Sequence, residues 1–70
     1  MNFGLNLKLA RTAAGMTQTE LADKLGIAQK QLSRYERGIQ VPSVAIAVEM
    51  ADALGVDMNT LTKKSILGDK

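Results

Sequence analysis

Thr17-Gln18-Thr19-Glu20 is the sharpest helix start in this chain, and it constrains everything that follows. In a Thr-x-x-Glu box the threonine hydroxyl accepts the glutamate backbone N–H, and the glutamate carboxylate accepts the threonine backbone N–H. Two donors that a helix end would otherwise leave unpaired are satisfied at once. Met16 and Leu21 stand at the two positions of a hydrophobic staple around the same start. Leu25-Gly26 then ends the helix, since glycine takes the left-handed cap conformation at low cost. Only Gly26-Ile27-Ala28 separates it from a second helical stretch, over about 28–37, with Leu32 and Tyr35 on one face and Gly38 as its stop.

Helical periodicity extends to both sides. Phe3, Leu7, Ala10 and Ala14 recur on one helix face that ends at Gly15. The alternation Leu5, Leu7, Leu9 also fits a strand, but Ala and Leu dominate the stretch and no β-branched residue precedes Thr12, which favours helix. Beyond the connector Ile39-Gln40-Val41, Pro42-Ser43 opens a fourth helix with Ser43 as N-cap, and Gly55 closes it after Leu54. Asp57 caps a fifth over 58–66, with Leu61 facing inward and 67–70 fraying. The fold class is all-α, with five helices forming one domain over 1–70 and a core over about 3–66.

Composition narrows the function. Seventy residues allow one domain at most, and a core that small has little margin against chain entropy. The chain has no cysteine, so disulfides and cysteine-based zinc sites are excluded; it has no histidine, so the usual general base and commonest metal ligand are missing. Its seven carboxylates fall in no spacing that suggests paired acid–base work or a calcium loop. We therefore expect no enzyme activity, no metal and no cofactor. No apolar run approaches the roughly 18–20 residues of a membrane span, and residues 1–8 lack the pattern of a signal peptide, so a soluble cytoplasmic protein is expected. A net charge of +2 is weak evidence for nucleic acid. Its distribution is more informative: 27–42 carry Lys30, Arg34 and Arg37 against Glu36 alone, whereas 43–58 carry only the acids Glu49, Asp52 and Asp57.

Two short helices joined by three residues form a helix-turn-helix candidate. Ala22 is small enough to let the second helix cross closely, and Leu21, Leu25, Ile27, Leu32 and Tyr35 supply an apolar underside. The outer side of the second helix is then Gln29, Lys30, Gln31, Ser33, Arg34 and Arg37. These are side chains a groove reader needs, because glutamine pairs with adenine through two hydrogen bonds, arginine with guanine, and lysine with guanine or phosphate.

The run from Thr17 to Gly38, with its Thr-Gln-x-Glu start, Ala22, Gly26 and Glu36-Arg37-Gly38 end, resembles the phage repressor/Cro (XRE-type) helix-turn-helix family. Pro42-Ser43 through Val56 resembles that family's fourth helix and exit, so the similarity spans about residues 3–61. The resemblance implies a five-helix, lambda-repressor-like domain that regulates transcription by placing its third helix in the DNA major groove, as a homodimer on a pseudo-palindromic operator. It implies base contacts from Gln29, Lys30, Gln31, Ser33 and Arg34, and phosphate contacts from Thr17, Gln18, Arg37, Gln40 and Ser43. Gln18 also matches a position that braces the first recognition residue. A structural ion pair is implied between Arg11 and Glu36, and a dimer interface at Val56, Asp57 and Met58, with support from Leu61 and Ile66.

Three positions depart from the family pattern. Ala28 stands where a Ser or Thr cap is common, at a cost of about 1 kcal/mol. Ile39-Gln40-Val41 lacks the usual basic residue, and Leu5 and Leu9 form a second apolar stripe on the first helix. That stripe either packs on Ile66 and Leu67 or, with Ile46, offers a surface to a protein partner. Two other readings stand beside the operator-binding one: an antitoxin or restriction-controller type regulator working with a partner, and a protein-interaction module without DNA readout.

Overall fold

The computed structural model describes residues 3–62. These form α1 (Phe3–Ala13), α2 (Gln18–Leu25), α3 (Gln29–Glu36), α4 (Val44–Leu54) and α5 (Met58–Thr62), and contain no strand. Leu7, Leu21, Leu32, Met50 and Leu61 are fully shielded from solvent, one from each helix, so all five helices meet in one apolar centre. Phe3, Ala22, Tyr35, Ala47, Ala51 and Leu54 complete the buried set. α3 packs on α1 and α2, whereas α4 packs on α2 and α5. The basic outer side of α3 and the acidic α4 therefore share α2 as a support and differ in the second, α1 for α3 and α5 for α4.

Each helix end follows from its local sequence. At α2 both halves of the capping box form: Thr17 Oγ1 accepts the Glu20 N–H at 3.1 Å, and the Thr17 N–H donates to Glu20 Oε1 at 2.8 Å. Gly26 closes the helix at φ 71°, and the Ile27 N–H reaches back to the Ala22 carbonyl at 3.0 Å. This 6→1 bond needs a left-handed residue at the turn, which is the place for glycine. Ser43 caps α4 by accepting the Ile46 N–H at 3.2 Å, and Asp57 caps α5 by accepting the Thr60 N–H at 3.2 Å. Ala28, as its side chain dictates, gives α3 no cap hydrogen bond.

Two features correct the expectations from periodicity. α1 ends at Ala13, and Ala14 lies exposed in the turn beyond it rather than on the apolar face. Gly4, unremarked in the sequence, lies inside α1 where that helix meets the end of α3. A Cβ there would sit 2.6 Å from the carbonyl oxygens of both Tyr35 and Glu36. Only a residue without a side chain lets the two backbones approach this closely. Two residues further along α1, Asn6 Nδ2 donates to the Leu61 carbonyl at 3.0 Å and ties α1 to α5. The expected continuation of α5 to 66, its fraying end, and the partners Ile66 and Leu67 lie outside the described residues.

Candidate nucleic-acid interface

The site is built outward from a buried ion pair. Arg11, in the last turn of α1, and Glu36, at the end of α3, are each 8% exposed. Arg11 Nε donates to Glu36 Oε2 at 2.6 Å and Nη2 donates to Oε1 at 3.2 Å, giving a two-pronged contact. Arg11 Nη1 adds a bond to the Met16 carbonyl at 2.8 Å, in the loop leading into α2. One guanidinium thus holds α1, the α1–α2 loop and α3 together; the pairing with Glu36 was anticipated from the sequence, the bond to the loop was not.

Glu36 Oε1 also accepts from Gln18 Nε2 at 3.0 Å, and Gln18 Oε1 in turn accepts from Gln29 Nε2 at 2.6 Å. Gln18 is therefore a brace between the ion pair and the first residue of α3. The Gln18–Gln29 contact was expected; the link on to Glu36 was not. Eighteen residues separate Gln18 from Glu36, and no spacing rule within a single helix connects them.

The expected groove-facing residues divide into two kinds. Gln29, Lys30 and Arg34 are exposed along α3. Gln31 and Ser33 are half-buried, and Gln31 Nε2 donates to the Tyr35 hydroxyl at 2.8 Å. That bond joins residues four apart, which face each other on a helix. It leaves Tyr35, 2% exposed, with its ring in the core and its hydroxyl partnered. Among the expected phosphate contacts, Arg37 and Gln40 are exposed, and Arg37 Nε lies 3.4 Å from the Ser33 carbonyl to which it donates. Thr17 and Ser43 use hydroxyl lone pairs as helix caps, and each keeps its O–H as a donor. Gln18 likewise commits one N–H of its amide to Glu36 and keeps a second.

The expected dimer residues are less uniform. Asp57 is exposed, while Val56 and Met58 are half-buried and pack on the core. Leu61 has no exposed surface, so it supports α5 from inside the domain and cannot meet a second copy directly. The same inward position that makes it a core residue removes it from the interface. Ile46, weighed as part of a partner surface, is also half-buried against the core. Leu5 and Leu9 are 51% and 56% exposed, and form an apolar stripe on α1 that no described residue covers.

A helix-turn-helix family profile matches residues 7–61, which include all of α2, α3 and α4, most of α1 and α5, and every bond of the Arg11–Glu36–Gln18–Gln29 chain. The chain belongs to the helix-turn-helix family. It is 36% identical over 70 residues to the HTH-type transcriptional regulator ImmR of Bacillus subtilis (strain 168), covering all of this chain and 55% of that protein. It is also 36% identical over 61 residues to the SPbeta prophage-derived regulator YonR of the same organism, covering 87% of this chain and 56% of that one. The chain therefore spans about half the length of these two relatives. Among solved structures, the master regulator for biofilm formation SinR in complex with DNA superposes with a TM-score of 0.78 at 35% identity, covering 84% of this chain and 95% of that one. The restriction-modification controller protein C.AhdI from Aeromonas hydrophila gives a TM-score of 0.81 at 32% identity, over 86% and 91% of the two chains. The all-helical, lambda-repressor-like reading of the sequence is the fold observed.

Proposed function

We propose that this helix-turn-helix domain is a sequence-specific regulator of transcription that binds double-stranded DNA with α3 in the major groove. The observation that carries the reading is the Gln18–Gln29 hydrogen bond, which holds an exposed amide at the N-terminal end of α3. With Nε2 donating one N–H to Gln18, Gln29 keeps one N–H and its Oε1. That pair matches adenine, whose N7 accepts and whose N6 amino group donates. Arg34, exposed one turn further on, suits guanine, with Lys30, Gln31 and Ser33 completing the base-facing set. Thr17, Gln18, Arg37, Gln40 and Ser43 contribute donors to the flanking phosphates.

A domain of this size reads few base pairs, so specific regulation calls for two copies on a pseudo-palindrome with half-site centres about 34 Å apart. Val56, Asp57 and Met58 are the surface assigned to that contact. The protein acts in the cytoplasm, at the nucleoid; no helix among the described residues is long and apolar enough to cross a membrane. A second reading, a controller or antitoxin type regulator working with a protein partner, is favoured by the exposed Leu5–Leu9 stripe and by the likeness to C.AhdI.

The test is selection from a random duplex library at near-physiological salt. The expected outcome is an enriched dyad with one-turn half-site spacing. Retention without a motif would reduce the role to backbone binding, and no retention even at low salt would overturn DNA recognition and leave a protein-interaction module.

A further inference from the structure

We infer that buried Glu36, a residue with no access to the groove, sets which base Gln29 accepts by fixing the direction of a hydrogen-bond relay. The inference rests on the reading of Gln29 as a base-contacting residue. A carboxylate held by a guanidinium can only accept hydrogen bonds, and both Glu36 oxygens are held by Arg11. Gln18 must therefore turn its NH₂ toward Glu36, which it does at 3.0 Å. That choice turns Gln18 Oε1 toward Gln29, so Gln29 must answer with its own NH₂, at 2.6 Å. Gln29 Oε1 is then the atom left pointing away from the relay. An isolated glutamine amide can flip and present donor or acceptor equally well. Here the flip would set two NH₂ groups, or two carbonyls, against each other at one link of the chain, so it is disfavoured.

The consequence is polarity at the base edge. With the relay running from Gln29 to Glu36, the outer atom of the Gln29 amide is an acceptor and suits the adenine N6 amino group. Reversing the relay would place an NH₂ there and suit a carbonyl, the O6 of guanine or the O4 of thymine. Glu36 is thus a positioning residue, acting through Gln18, with an effect on specificity separable from its effect on stability.

Glu36→Gln makes the reversal directly. Arg11 still demands an acceptor, so the new amide offers its oxygen to Arg11 and its NH₂ to Gln18, which flips, and Gln29 flips after it. The measurement is relative affinity for the four bases at the position that Gln29→Ala relaxes, by competition with otherwise identical operators selected by the wild-type protein. Glu36→Gln should lower the adenine preference about tenfold relative to guanine or thymine, a size typical of losing one good base pairing. Should that variant not fold, Gln18→Met removes the relay and leaves the ion pair intact. It should make Gln29 tolerant, with adenine and carbonyl bases binding within about threefold of each other, less than the discrimination of one such pairing. An unchanged adenine preference in the folded Glu36→Gln variant overturns the relay, as does an unchanged preference in Gln18→Met where only that variant folds. If Gln29→Ala itself leaves every base preference as in the wild type, then Gln29 is not a reader, and it is the function proposed above for that residue that fails.

Discussion

α2 and α3 have the same length, eight residues each, and both stop at a left-handed glycine, yet they begin in opposite ways. α2 carries its own fastenings: a reciprocal capping box at one end and a left-handed glycine at the other. α3 enters through Ala28 without a side-chain cap, and beyond its Gly38 stop it is fixed by its neighbours: Leu32 and Tyr35 in the core, Glu36 on Arg11, and Gln29 on Gln18. The difference separates two tasks. A helix that secures itself uses its polar groups on itself, whereas a helix secured by its neighbours keeps most of its polar face for a ligand. α3 does so at Gln29, Lys30 and Arg34, and Arg37 follows just beyond its end, all exposed.

The contrast is broken most severely at Glu36. Glu36→Ala strands the Arg11 charge in the interior and removes the anchor of α3, at an expected cost of about 3–5 kcal/mol. For a domain of this size that approaches the whole stability, about 0.05–0.15 kcal/mol per residue. Thermal melting should show a much reduced or absent cooperative transition; a melting temperature within a few degrees of the wild type would remove the ion pair from this role. Next is Gly4→Ala. The added methyl meets two backbone carbonyls that cannot rotate away, so α1 and α3 must part, at a cost of about 1–3 kcal/mol. Urea denaturation reads this as a lower midpoint at unchanged slope.

Thr17→Ala tests the other side of the contrast and should cost about 1 kcal/mol, by loss of the α2 cap. It should leave base preference alone, since Thr17 is assigned only to phosphate. Ala28→Ser is the smallest change and runs in the opposite direction. Supplying the missing cap should stabilise the protein by about 0.5–1 kcal/mol, seen as a raised urea midpoint. No gain at all would mean that the first N–H groups of α3 are already well served by solvent, and that the contrast at this end is one of sequence only.

The parts of the fold visible in the sequence are those encoded by near neighbours. The Thr17–Glu20 box, the stops at Gly26 and Gly55, and the caps at Ser43 and Asp57 each depend on residues within five positions of one another, and each forms. Register within a helix was nearly as legible: Leu32 and Tyr35 on α3, and Phe3 and Leu7 on α1, are buried as their spacing predicts. What the sequence withheld depends on approach between distant segments. Gly4 did carry a signal, since glycine inside a helix is unfavourable unless something needs the space, but nothing in the sequence says that the end of α3 is what comes near. Leu61 could be read as core or interface because periodicity reports a face and not what covers it. At the candidate site, the outer residues of α3 and the brace by Gln18 followed from the motif, whereas the bond from Gln18 to Glu36 exists only once α2 and α3 have docked.

The third bond of Arg11, from Nη1 to the Met16 carbonyl, has a dynamic consequence. Because a single side chain joins α1, the loop into α2 and the end of α3, none of these segments can open alone without exposing the others' polar groups unpaired. The domain has no inexpensive sub-global opening in which α1 detaches and the reading helix persists. Amide protons in the middle of α1 and of α3 should therefore exchange with solvent through one shared event, with the same free energy, and a protease that cuts α1 should release α3 in the same step.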